Sequence, residues 1–154
     1  MKGLGPVIAE MQKKFGSTSV VSMADEALYS RVTSGISTGS IEMDIAIGKL
    51  GLPRGRVSDI TGLESSGKST AAGELIASTH KYPKGAVILG DPERAYDVGR
   101  IKSMGGDPER ILVLQNDTLD EYFNAHEAAL RKLINRKYAP ITSICDSIAG
   151  FQAG

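Results

Sequence analysis

The sequence has no tryptophan, only one cysteine and no excess of either charge, since 18 basic side chains balance 18 acidic ones. A lone cysteine, Cys145, excludes an internal disulfide and suits a reducing cytosol. A formal net charge of zero is unlike that of a protein whose whole surface coats nucleic acid. Any contact with DNA would therefore be local or would lie outside this chain.

Long apolar runs are absent as well. No stretch approaches the roughly 18 consecutive apolar residues that a membrane span needs. The first 16 residues, MKGLGPVIAEMQKKFG, lack the apolar core and the small-residue cleavage site of a secretion signal. We therefore expect a cytoplasmic protein without a membrane partner.

The residues that are present suit one globular domain, with 154 residues of which 41% are hydrophobic and 23% charged. At the start, an apolar stripe at helical spacing predicts a short helix that ends at Gly16, and the stripe consists of Leu4, Ile8, Met11 and Phe15. So short a helix is not stable alone in water, so its stripe must dock. The residues leave open whether it docks on its own domain or on a neighbouring subunit.

Beyond a Ser-, Thr- and Gly-rich linker at 17–39, with one short strand near Ser19–Met23, the pattern predicts regular structure. Ser40 caps a short helix, Ile41–Ile47, that Gly48 ends. Further strands are predicted at 56–61, 86–90, 111–114 and 141–145, and further helices at 67–80, 94–104 and 118–136. Strands separated by helices indicate an α/β fold with a mostly parallel sheet and helices on both faces.

The stretch GLESSGKST fits the pattern G-x-x-x-x-G-K-[ST] between a predicted strand and a predicted helix. Its glycines let the backbone curl so that N–H groups point at phosphate oxygens, and the helix adds its positive end. Lys68 would bind the outer phosphates and Ser69 would bind Mg²⁺. The predicted nucleotide-binding stretch consists of Gly62, Leu63, Glu64, Ser65, Ser66, Gly67, Lys68, Ser69 and Thr70.

Two acidic residues follow predicted strands, where the carboxyl ends of parallel strands carry function. Asp146 ends ITSICD, and Glu93 follows AVILG. A nucleotide triphosphatase needs a metal-side carboxylate and a base for water. Acids after strands also cap turns, so the pattern alone leaves both interpretations open.

Four motifs together resemble the RecA recombinase family: ISTGS at 36–40, DIAIG at 44–48, GLPRGR at 51–56 and GLESSGKST at 62–70. The resemblance runs from the first helix to Asp146, and KSMGGDPER at 102–110 is similar to phage-encoded members. It implies a P-loop NTPase fold of RecA type. It also implies a filament-forming, DNA-dependent ATPase that pairs homologous strands in recombination, DNA-damage repair and the SOS response, with ATP and Mg²⁺ as cofactors.

The resemblance also implies roles for single residues. Lys68 and Glu93 would be catalytic, with Glu93 activating the attacking water, while Ser69 and Asp146, the latter through water, would hold the metal. Asp97 would lie near the adenine amino group, and Arg100 stands where the family usually stacks a tyrosine on adenine. A guanidinium plane can also stack on a base.

On the resemblance, residues 1–34 form a helix and linker that bind a neighbouring protomer, and residues 35–154 form a partial ATPase core. The family's DNA-binding loops come later than Gly154, as does a strand that lies between the phosphate-loop strand and the Asp146 strand. Thr142 and Ser143 also interrupt a strand that is usually more apolar. We therefore expect an incomplete core, a fragment of marginal stability, and single-stranded DNA contacts mostly outside the chain.

Three functions remain in competition. The first is an ATPase of homologous recombination, and the second is a module that binds nucleotide without turnover. The third is another RecA-like phosphate-loop ATPase, against which the ISTGS and GLPRGR motifs argue. For the chain as given, binding without efficient turnover is favoured.

Overall fold

The computed structural model describes residues 3–17, 19–24, 34–48 and 51–152. The chain divides into two units, residues 1–33 and residues 34–154. No helix within the described ranges combines the length and the apolar character needed to cross a bilayer.

The first unit contains helix α1 (Gly5–Phe15), which confirms the predicted helix and its end at Gly16. Three of the four stripe residues are exposed, with Leu4 at 73% and Phe15 at 53%, whereas Ile8 is only partly exposed. The strand predicted near Ser19–Met23 is wrong, because the described residues 19–24 contain turns and irregular backbone but no strand. The Val20 carbonyl accepts a hydrogen bond from the Gln12 side chain (2.7 Å) instead of from a neighbouring strand.

The second unit opens with strand β1 (Gly35–Ile36), helix α2 (Ile41–Ile47) and strand β2 (Leu52–Pro53), and β1 pairs with β2 in antiparallel fashion. Helix α2 begins and ends as predicted, because Ser40 accepts a hydrogen bond from the Met43 amide and Gly48 adopts a left-handed conformation.

The ISTGS turn is fastened to this helix by one carboxylate. Asp44 accepts hydrogen bonds from the Ser37 hydroxyl (2.6 Å), the Thr38 amide (2.8 Å) and the Thr38 hydroxyl (2.7 Å). The bond from the Ser37 hydroxyl, followed by those from Thr38, lowers the pKa of Asp44. This motif therefore has a structural task, which is to fix the turn before α2.

Six further elements form the main layer, and they alternate along the chain as predicted. They are helix α3 (Lys68–His80), strand β3 (Ala86–Gly90), helix α4 (Val98–Ser103), strand β4 (Ile111–Leu114), helix α5 (Leu119–Asn135) and strand β5 (Ile141–Cys145). The three strands form a parallel sheet in the order β4-β3-β5. The α/β class and the bounds of these strands are thereby confirmed.

The two faces of β3 pack against different helices, because side chains alternate along a strand. Val87 and Leu89 join the main core cluster, which also contains Ile76 of α3. On the opposite face, an added Cβ at Gly90 would lie 2.5 Å from the ring of Tyr122 in α5. Helices therefore cover both faces of the sheet at this strand.

The two polar residues of β5 each meet a helix. The Thr142 hydroxyl lies 2.7 Å from the Thr79 hydroxyl of α3, and the Ser143 hydroxyl lies 2.8 Å from Nε2 of His126 in α5. Each hydroxyl thus has a hydrogen-bond partner, and Ser143 is also exposed, so neither polar group is buried without a partner. Their presence does not prevent the strand.

The strand predicted at 56–61 is wrong, since residues 57–61 have no regular structure. Val57 is fully exposed and Ile60 is 39% exposed. A cleft of about 550 Å³ lies between this segment and the residues of β5, and within the described part of the chain no strand pairs with the segment to complete a ladder. An extended apolar pattern becomes a strand only where its backbone groups find partners.

Arg110, the last residue of the KSMGGDPER stretch, connects the end of α3 to the start of β4. Its guanidinium donates to the carbonyls of His80 (2.6 Å), Tyr82 (2.9 Å) and Gly85 (3.3 Å), and its Nε donates to Asp107 (3.2 Å). Because hydrogen bonds from charged donors are worth about 1.5–3 kcal/mol each and this group is partly exposed, we expect Arg110→Ala to cost about 2 kcal/mol of unfolding free energy. Urea denaturation measures this loss.

Arg131 provides the matched control for this prediction. It forms an exposed ion pair with Glu127, one helical turn away, with 74% and 64% of the two side chains exposed. Such a pair contributes at most about 0.5 kcal/mol, so Arg131→Ala should hardly change the unfolding free energy. Equal losses in the two variants would contradict the role given to Arg110.

Candidate functional site

The loop before α3 has the curled backbone that its sequence predicts. Ser65 has φ 58° and Gly67, the residue that caps α3, has φ 95°, and both lie in the left-handed region. Glycine adopts this conformation without steric cost, whereas Ser65 does so at some cost in strain. The loop therefore leads directly into the first turn of α3, whose backbone amides have no acceptor within the helix.

The Lys68 side chain folds back over this loop. Its Nζ donates to the carbonyls of Gly62 (3.1 Å) and Leu63 (2.8 Å). The positive charge of the ammonium group thus lies beside the curled loop, next to the positive N-terminal end of α3. This combination attracts an anion.

One carboxylate joins three distant parts of the chain at the same place. Oδ2 of Asp146, directly after β5, accepts hydrogen bonds from the Ser69 hydroxyl and from the Tyr96 hydroxyl, each at 2.9 Å. Burial, and then the hydrogen bond to Asp146, raises the pKa of Tyr96 well above its usual value. The phenol therefore stays protonated and remains a donor.

The segment between β3 and α4 is held by an acid that the sequence analysis did not single out. Asp91 is only 4% exposed, and its carboxylate accepts hydrogen bonds from the amides of Ala95 (2.9 Å) and Tyr96 (3.4 Å). Asp91 thus fixes the loop that carries Glu93. Its position directly after a fully buried strand was a sequence signal for this role.

Glu93 lies on the surface of this loop and points towards the chain that follows Asp146. Its Oε1 accepts a hydrogen bond from the Ser147 hydroxyl (3.2 Å). An added Cβ at Gly150 would lie 3.1 Å from the same oxygen, so only glycine leaves this carboxylate its present room. The segment 147–150 therefore restricts the position of the Glu93 carboxylate.

On the other side of α3, Asp97 caps α4 by accepting a hydrogen bond from the Arg100 amide (2.7 Å). The Arg100 guanidinium donates to the Thr70 hydroxyl (2.5 Å). A small pocket of about 90 Å³ opens here, and its lining consists of Ser69, Gly73, Ala95, Tyr96, Asp97, Arg100, Ile101 and Met104. Asp97 and Arg100, the two residues predicted to contact the adenine, therefore lie next to the start of α3.

The oxygen atoms at the start of α3 fit a magnesium ion. Mg²⁺ binds oxygen ligands, keeps several waters and takes few protein groups when phosphates are present. A hydroxyl and a carboxylate 2.9 Å apart, Ser69 and Asp146, match this preference. Among the residues that the structure describes, no group of three or more His, Cys, Asp or Glu side chains is placed to hold a metal ion.

Comparison with known proteins gives a consistent result. The family described as the RecA N-terminal domain matches residues 2–151. Protein RecA of Clostridium novyi (strain NT) is 39% identical over 131 residues, which cover 85% of this chain and 37% of the relative. Protein RecA of Azoarcus sp. (strain BH72) is 35% identical over 130 residues, which cover 84% and 37%. For Clostridioides difficile (strain 630) the identity is 37% over 131 residues, with 85% and 37% covered. The chain thus spans little more than a third of the length of these relatives.

Proposed function

Because the chain belongs to the RecA N-terminal domain family, we propose that it binds ATP and Mg²⁺ as the nucleotide-side part of a recombinase. In this proposal its second unit is a P-loop NTPase core of RecA type, and the loop Gly62–Thr70 receives the phosphates. The activity served is DNA-dependent ATP hydrolysis in homologous recombination and repair. The observation that carries the proposal is the meeting of Lys68, Ser69 and Asp146 at the start of α3.

The chain's own groups divide the work of binding. The curled loop and the first amides of α3 would hold the phosphate oxygens, and Lys68 would exchange its two loop carbonyls for the outer phosphates. Ser69 and Asp146 would hold Mg²⁺, whose charge offsets that of the phosphates. Asp97 and Arg100 would contact the base beside the small pocket.

Hydrolysis would depend on Glu93. A carboxylate can orient and deprotonate an attacking water when it lies within hydrogen-bond reach of it. Glu93 is exposed and is oriented by Ser147, so its carboxylate remains accessible.

The remaining assignments concern partners. The exposed residues of the α1 stripe support self-association, because an amphipathic helix this short is stabilised mainly by docking. A neighbouring protomer in a filament would be its partner. Single-stranded DNA would be bound mostly by protein outside these 154 residues, in keeping with the zero formal net charge.

Nucleotide binding without efficient turnover is the second candidate. The segment at 57–61 does not form a strand and leads directly into the phosphate loop, and that observation favours this candidate. A phosphate loop whose preceding segment lacks a sheet partner is less rigidly placed, and catalysis is more sensitive to placement than binding is.

Phosphate release from Glu93→Gln separates the two candidates. If the chain is an ATPase, we expect its single-turnover hydrolysis of labelled ATP to rise with single-stranded DNA and to fall about 100-fold or more in the variant. The affinity for ATP should stay within about twofold, since glutamine preserves the shape of the side chain. Glu127→Gln, on the exposed face of α5, is the control.

The other outcomes are equally distinct. ATP binding with no phosphate release under any condition would leave the binding module as the function of this chain. An unchanged rate in Glu93→Gln would remove Glu93 from the role of base.

A further inference from the structure

Two hydroxyl groups meet on a single oxygen of Asp146, and the family pattern assigns a task to only one of them. Ser69 Oγ and Tyr96 Oη are each 2.9 Å from Oδ2. Ser69 is the proposed metal ligand. The contact from Tyr96 joins residues 50 positions apart and needs its own explanation.

We propose that Tyr96 is a positioning residue for the metal: its hydroxyl orients the Asp146 carboxylate so that the other oxygen, Oδ1, is presented to a magnesium-bound water. This inference rests on the proposed function, because it assigns Tyr96 a part in the same magnesium–nucleotide site. A carboxylate accepts about two hydrogen bonds at each oxygen. Two donors on Oδ2 therefore satisfy that oxygen and fix the rotation of the group.

Tyr96 is suited to this task because its own position is fixed at both ends. Its ring packs against the main core cluster, and its amide donates to the buried carboxylate of Asp91. A rigid donor fixes the angle of its acceptor, whereas a mobile one would follow the carboxylate. Because Tyr96 is anchored in the core, its hydroxyl can hold the Asp146 carboxylate in one orientation.

A solely structural role is the competing explanation, and Tyr96→Phe separates the two. Phenylalanine keeps the ring and its packing and removes only the hydroxyl. We measure the affinity for a slowly hydrolysed ATP analogue with Mg²⁺ and with EDTA, and the Mg²⁺ concentration that gives half-maximal binding. The expected result is about a tenfold loss of affinity with Mg²⁺, a higher Mg²⁺ requirement, and unchanged binding in EDTA.

Two controls sharpen the test. Tyr138→Phe, at a residue that is 36% exposed, should leave all three values unchanged. In an Asp146→Ala background, Tyr96→Phe should have no further effect, because the acceptor is already gone.

The result that overturns the inference is a Tyr96→Phe variant with the wild-type Mg²⁺ requirement, or one that loses affinity equally with Mg²⁺ and with EDTA. In either case wild-type protein still binds the nucleotide in a magnesium-dependent way, so the proposed function stands. If wild-type protein shows no magnesium-dependent binding of the analogue, both the proposed function and this inference fall.

Discussion

Lys68→Ala is expected to lower the affinity for MgATP about 100-fold, as measured by isothermal titration calorimetry. Its ammonium group lies over the phosphate loop, within 3.1 Å of two loop carbonyls, where the outer phosphates would bind. Replacing these neutral acceptors by charged phosphate oxygens gains charge-assisted hydrogen bonds. Losing them costs about 3 kcal/mol, which corresponds to the stated factor.

Lys102→Ala is the control for this experiment, because Lys102 is an exposed cation of α4 and its loss changes the net charge equally. We expect its affinity for MgATP to match that of the wild type. If both lysine variants bound equally well, the loop Gly62–Thr70 would not be the phosphate site. If both lost affinity equally, general attraction by charge would explain the binding.

Asp91→Ala is expected to lower the unfolding free energy by about 3 kcal/mol. The Asp91 carboxylate is almost fully buried and accepts two backbone amides, which alanine would leave without their acceptor. Bonds to charged groups are worth about 1.5–3 kcal/mol each, and unsatisfied buried donors are costly. Urea denaturation followed by circular dichroism measures the change.

The same variant should also weaken MgATP binding, because the loop held by Asp91 carries both Glu93 and Tyr96. Asp117→Ala removes an exposed acid and should leave stability and binding within about 0.5 kcal/mol of the wild type. An Asp91→Ala protein as stable as the Asp117 variant would show that the loop is held by other contacts.

Local signals in the sequence were sufficient where the structure depends on local chemistry. Helix α2 begins at a serine cap and ends at a left-handed glycine, and both ends could be predicted from the residue types. The strands β3, β4 and β5 follow from short apolar runs between helical patterns. The parallel arrangement also brings the end of β5 to the start of α3, as the proximity of Asp146 and Ser69 shows.

Contacts between residues distant in the sequence could not be predicted in the same way. The residues at 56–61 have the composition of a strand, but a strand also requires a partner, and the cleft beside β5 separates them from one. The contact between Tyr96 and Asp146 depends on the path of the loop after β3, which Asp91 sets through backbone amides. Nothing in the letters AYD specifies that path.

The hydroxyls of β5 have a consequence for the metal side of the site. Thr142 and Ile144 face α3, and Asp146 continues the same alternation, while Ser143 faces α5. Sliding the strand by one position would turn Asp146 away from Ser69 and would break both hydroxyl contacts at once. The contacts of Thr142 and Ser143 therefore stabilise the register of β5 from both faces of the sheet. Substitutions at Thr142 or Ser143 would therefore displace the carboxylate of Asp146, which lies further along the chain.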